Sequence, residues 1–264
     1  MSSILRPTSS QKTRRLIVLG LAIFAIVISQ LQMLMGWGQT AAEFAADSDA
    51  TLKVIGWAFA IWGVIYAGIA IYAVRQALPQ TGESELISAF GWPSALAFVG
   101  IGMWIVAAAF DWEVATIVLI FAALIVLLIP MLVQAGRIRA LSMGDRDRWM
   151  TVWPLSLLAG WLTIAAPVNL ITVATGNGDL PAGISPTLLA IGAVVIVGLI
   201  GLAVTWRIRI LAYVLPICWG LVGVFVAEQS RNPTLAFTAV IVSVIVLIGA
   251  VLLVLAQRRR IERY

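Results

Sequence analysis

The residues in this sequence best equipped for a specific task are aromatic. Phe59, Trp62 and Tyr66 recur at i, i+3 and i+7, a spacing that puts three rings on one face of a helix, with Trp57 about one turn away. Trp161, Ala165 and Asn169 recur at i, i+4 and i+8 and make a second stripe of one ring, one small residue and one amide. Counting helical rise from the ends of the surrounding apolar runs puts both stripes at a similar depth, together with Trp104, Gln30 and Gln32. Rings stack on flat apolar surfaces, and an amide both donates and accepts hydrogen bonds, so this set predicts a small-molecule cavity. The plainer alternative is a layer of aromatic packing between helices.

Other chemistries are poorly supplied. The sequence has no histidine, which removes the commonest metal ligand, the usual haem ligand and the neutral-pH proton shuttle. The one cysteine, Cys218, lies in an apolar run and reads as a small buried hydrophobe. The sequence carries no phosphate loop, metal-ligand cluster or nucleophile and base pair. No catalytic residue and no metal site are therefore assigned, no cofactor is required, and the balance is against an enzyme.

The elements that must position the two stripes are membrane helices. With 62% hydrophobic and 11% charged residues, the chain has too little polar surface to cover a soluble globule. Eight runs reach the roughly 20 apolar residues that cross about 30 Å of hydrocarbon, at 16–36, 54–76, 87–110, 114–134, 150–173, 186–206, 210–227 and 234–257. Two connections are very short. Asp111, Trp112 and Glu113 mark a hairpin at the membrane surface, and Arg207 with Arg209 divides a run about twice the length of one span. No Asp, Glu, Lys or Arg falls near a midplane, which argues against a proton-coupled transporter or an ion pump.

Charge tests the helix count, because one helix more or fewer would invert everything downstream. With the N-terminus inside, Arg6, Lys12, Arg14, Arg15, Arg75, Arg137, Arg139, Arg146, Arg148, Arg207, Arg209, Arg258, Arg259, Arg260 and Arg263 share one side. Only Lys53 and Arg231 fall on the other. That predicts a multi-pass inner-membrane protein with both termini in the cytoplasm. The net charge of +5 then reflects orientation and lipid contact, and no nucleic-acid partner is expected. The expected partners are membrane lipid and a hydrophobic small molecule, and a homo-oligomer stays open.

The two stripes resemble those of the tryptophan-rich sensory protein, or TspO/MBR translocator-protein, family. Trp57-Ala-Phe59-Ala-Ile-Trp62-Gly-Val-Ile-Tyr66 is similar to that family's Trp-x-Phe-x-x-x-Trp-x-x-x-Tyr, with a shorter spacing between Phe59 and Trp62. Trp153-Pro154 through Gly160-Trp161 to Ala165 and Asn169 is similar to its fifth-helix Trp-x-x-x-Ala-x-x-x-Asn, and Trp104 stands where its third helix carries a Trp. The resemblance covers about 16–173 and implies a five-helix bundle around a pocket for porphyrins and other flat or sterol-like ligands. The ligand-binding set it points to here is Trp57, Phe59, Trp62, Tyr66, Trp104, Trp161, Ala165 and Asn169.

The expected architecture is thus an all-α polytopic bundle of about eight transmembrane helices. It divides into an N-terminal segment at 1–15, a five-helix core at 16–173, an external loop at 174–185, a three-helix extension at 186–257 and a basic tail at 258–264. The three last helices have no counterpart in short members of the family. The expected function is an integral membrane binding, sensory or transport protein for a flat hydrophobic ligand such as a tetrapyrrole. A facilitative transporter of a lipid-like solute and a porphyrin-modifying membrane enzyme are the alternatives.

Overall fold

The computed structural model describes residues 6–78 and 81–261, with side chains through Ala256. Among the described residues the chain forms α1 (Ser9–Met35), α2 (Ala41–Ala46), α3 (Ile61–Ala77), α4 (Glu85–Ala109), α5 (Glu113–Val133), α6 (Ala135–Ala140), α7 (Trp153–Gly176), α8 (Pro186–Ile208), α9 (Val214–Glu228) and α10 (Pro233–Ile261). Short turns at Gly56–Ala60, Arg148–Val152 and Leu211–Tyr213 lead into α3, α7 and α9. Apart from the six-residue α2 and α6, every helix is long and apolar enough, with its leading turn, to cross a membrane. Each of the eight apolar runs in the sequence corresponds to one of these helices.

Helix ends shift where a cap decides them. The first helix begins at Ser9, ahead of the apolar run, because Thr8 caps it reciprocally: Thr8 Oγ1 accepts the Gln11 N–H and Gln11 Oε1 accepts the Thr8 N–H at 2.7 Å. Arg14 and Arg15 are therefore helical and buried instead of lying in a leading segment. Both short connections close without glycine. Asp111 and Arg209 each take a left-handed conformation (φ 58°), with Trp112 N–H bonded to Ala107 O at 2.8 Å and Arg209 N–H to Thr205 O at 2.7 Å. Arg258, Arg259, Arg260 and Arg263 of the basic tail lie outside the described side chains, as do residues 1–5.

α1, α3, α7, α5 and α4 pack in a closed ring, each helix against the next. The helices α8, α9 and α10 pack on one another as a second group, and α9 lies along α7. Gly160 makes that approach close, since a Cβ there would collide with the Tyr213 carbonyl, and beside it Tyr213 Oη and Thr163 Oγ1 share a 2.7 Å hydrogen bond. Serving both groups, α7 is the most enclosed of the spans. Its sequence is apolar on every side, as a helix surrounded by others must be.

One end of the bundle gathers the arginines and is tightly closed. Glu83 receives Arg14 at 2.6 Å and Arg15 at 2.7 Å, and Arg15 also donates to the carbonyls of Thr81 and Gly82. The Gln76 amide bonds the Arg15 carbonyl at 2.8 Å, and beside it Arg75 pairs with Asp147 at 2.8 Å. These groups tie α1, α3, α4 and the approach to α7 into a floor.

Candidate functional site

The opposite end is closed by a roof of short local structure. Gly36 (φ 62°) ends α1, and the Gln32 amide reaches past it to the carbonyls of Trp37 and Gln39 at 3.1 and 3.2 Å. Thr40 then starts α2 with a second capping box, in which Glu43 Oε2 accepts the Thr40 N–H at 2.7 Å. That backbone bond, helped by the Thr40 hydroxyl, holds the Glu43 carboxyl below its ordinary value of 4.5. α2 lays Phe44 and Ala45 across the mouth of the ring.

Beneath α2 the ring encloses a cavity of about 40 Å³ with an almost wholly apolar lining. Phe59 and Trp62 come from the start of the second span, Trp104 from α4, Ile120 from α5, and Trp161, Ala165 and Asn169 from α7. The rings stand steeply to one another. Trp161 meets Phe59 at 6.0 Å and 82° and Trp62 at 6.4 Å and 80°, while Phe44 meets Trp104 at 5.9 Å and 84°. Such edge-to-face contacts build walls at right angles instead of collapsing into one stack.

Six of the eight residues singled out from the sequence thus share one cavity: Phe59, Trp62, Trp104, Trp161, Ala165 and Asn169. The other two do not line it. Tyr66 lies one helical turn below, stacked on Trp62 at 5.1 Å, where it backs the cavity wall. Trp57 is 45% exposed and turns toward α9, meeting Trp219 edge-on at 5.0 Å. The Trp219 indole in turn donates to the Ala58 carbonyl at 2.8 Å, so Trp57 belongs to the junction with α9. Of the two glutamines placed at similar depth, Gln30 is on an exposed face and Gln32 serves the roof.

Asn169 is more engaged than its position suggested. Trp104 Nε1 donates to Asn169 Oδ1 at 3.0 Å, Asn169 Nδ2 donates to Thr116 Oγ1 at 2.9 Å, and the Thr116 hydroxyl donates to the Glu113 carbonyl at 2.6 Å. This one-directional chain joins α4, α7 and α5 and fixes the Trp104 ring. The amide's first task is to hold a wall of the cavity.

Several lining residues carried no signal in the sequence. Phe44, Ala45 and Val54 belong to a connection that is alanine-rich and acidic, and only the turn back over the ring brings them in. Gly220 of α9 closes the cavity from the side, and a Cβ there would stand 2.9 Å from Ile164 Cδ1 and 3.4 Å from the Trp161 ring. One of the last three helices, α9, therefore contributes directly to the site.

Comparison with curated proteins and with solved structures returns no match. A family model described as TSPO-like protein matches residues 15–252, which takes in the five-helix ring and continues through α8, α9 and most of α10. With that match over nearly the whole chain, and with its helical bundle of eight apolar spans, the chain belongs to the TSPO-like protein family and is a multi-pass membrane protein of the TspO type.

Proposed function

We propose that this protein binds a flat hydrophobic ligand, such as a tetrapyrrole, in the aromatic cavity beneath α2, and uses that binding for sensing or carriage. The observation that carries the reading is the convergence of Phe59, Trp62, Trp104 and Trp161 from three helices on one apolar cavity. Trp161 set steeply against Phe59 and Trp62, and Trp104 against Phe44, offer faces for stacking and edges for containment. Because Asn169 already bonds Trp104 and Thr116, ring stacking supplies most of the attraction and the amide keeps the wall in place.

Ligand pockets run to several hundred Å³. The cavity at about 40 Å³ is far smaller than that, so a macrocycle enters only as the roof moves. The roof is the part built to do so, because α2 has six residues and its flanks are loops, whereas the walls are membrane-spanning helices. The arginine distribution supports an orientation with the floor toward the cytoplasm, the cavity toward the outer side of an inner membrane and both termini inside.

Titration of protoporphyrin into the purified protein in mild detergent tests the reading. The pigment's Soret band is expected to shift and saturate with the wild-type chain and to lose most of that shift with Trp62→Ala/Trp161→Ala. An undiminished shift in the double variant would remove the cavity from consideration.

A further inference from the structure

Positive charge at the cavity end is scarce and concentrated. Lys53 and Arg231 are the two cations that the sequence leaves on this side, and both address the same oxygen: Asp49 Oδ1 pairs with Arg231 and lies 3.8 Å from Lys53 Nζ. Both also touch the roof. Lys53 precedes the lining residue Val54, and Arg231 Nη1 reaches the Ala50 carbonyl at 3.4 Å.

The two carboxylates of this cluster are not equivalent. The Glu228 side chain is 1% exposed, accepts the Lys53 N–H at 2.9 Å and receives Arg231 Nη1 at 3.3 Å, so it is a fixed part of the corner between α9 and α10. The Asp49 side chain is 90% exposed and stands on the roof in contact with water. Exposed ion pairs contribute little and exchange readily, whereas a cation anchored by a buried carboxylate keeps its place. One negative partner is therefore permanent and the other is replaceable.

Resting on the cavity reading above, we infer that Lys53 and Arg231 form an anion subsite at the cavity mouth. It takes the carboxylate of a ligand whose flat apolar body lies against Trp62 and Trp161, and Asp49 occupies it when no ligand is bound. An ionised acid cannot follow its rings into a lining without cations, because burying an uncompensated charge is prohibitive. At the mouth it keeps both a counter-charge and water. The exchange also loosens the roof, since the contact that Asp49 gives up is one that ties residues 47–53 to the corner between α9 and α10. The ligand class is thereby narrowed from any flat apolar molecule to one bearing an acid on one edge.

The test compares protoporphyrin, a dicarboxylic acid, with its dimethyl ester by Soret titration of the full chain in one detergent, reading the ratio of their apparent Kd values. The acid's advantage relative to the ester is expected to fall about tenfold in Lys53→Gln/Arg231→Gln, in line with the loss of charge-assisted hydrogen bonds. It should widen in Asp49→Asn, which removes the competitor from an exposed position, and stay unchanged in Arg137→Gln at the opposite end. If the ester binds and the ratio is the same in all four proteins, the anion subsite is wrong while the cavity stands. If neither pigment binds the wild-type chain, the subsite and the cavity reading fall together.

Discussion

At the arginine-rich end, Glu83 holds Arg14 and Arg15 with all three side chains less than a tenth exposed, whereas at the cavity end Asp49 holds Arg231 and Lys53 while nine-tenths exposed. At each end one carboxylate addresses two cations, with Glu228 also holding Arg231 at the cavity end, yet the consequences differ. A buried pair is expensive to break, because removing one partner strands charge in a medium that cannot solvate it. An exposed pair is exchanged with water or a ligand at little cost. The bundle is thus sealed on one side and latched on the other, and its aromatic cavity lies toward the latched end, beneath α2.

The contrast breaks most visibly at the floor. Glu83→Gln leaves Arg14 and Arg15 without their shared counter-charge and should destabilise the bundle by about 3–5 kcal/mol, seen as a large drop in melting temperature in detergent. Asp49→Asn, at the equivalent place in the roof, should change stability by less than about 1 kcal/mol. Equal losses from the two variants would erase the distinction between floor and latch.

Between those extremes lies the polar chain behind the cavity. Asn169→Ala strips the Trp104 indole and Thr116 of a partner and should cost about 1–3 kcal/mol, with a change in Trp104 fluorescence as its ring loses its anchor. Unchanged stability and emission would mean that Asn169 does not hold that wall.

The smallest effect concerns the roof alone and depends on pH. Because the Glu43 carboxyl sits below its ordinary 4.5 in the folded state, its contribution to α2 is present above that value and is lost as the pH falls through the lowered one. Amide protection at Phe44, whose N–H bonds the Thr40 carbonyl, should therefore decline in acid after correction for intrinsic exchange. In Glu43→Gln the decline should disappear. Protection that is flat with pH in the wild-type chain would show that the cap does not govern α2.

The parts of this arrangement that could be read from the sequence are those set by length, periodicity and charge. Runs of about 20 apolar residues admit one structure in lipid, so all eight spans were legible. Helical spacing placed Phe59 with Trp62 and Trp161 with Asn169 on common faces, and the structure brings those faces together. Trp57 and Tyr66 show the limit of that method. Periodicity ranks residues around one axis but does not say which neighbour each face meets, and Trp57 meets Trp219, more than 150 positions away. Phe44, Val54 and Gly220 were invisible for the same reason. Their place in the cavity comes from a chain reversal and from the packing of α9 on α7, which depends on Gly160 and has no local pattern. The expected ring of five helices and group of three are both present, but the spacing did not show that the second group reaches the site, where Gly220 of α9 closes the cavity.

The central claim, that the cavity beneath α2 is where a flat pigment binds, is tested most directly by the pigment's own photochemistry. Illuminated protoporphyrin generates reactive oxygen from dissolved O₂, which oxidises tryptophans near the bound pigment, and mass spectrometry locates the modified residues. The account predicts oxidation first at Trp62, Trp104 and Trp161, although Trp104 and Trp161 are only 8% and 3% exposed. Oxidation that instead follows exposure, led by Trp92, Trp112 and Trp206 at 54%, 54% and 58%, would contradict it.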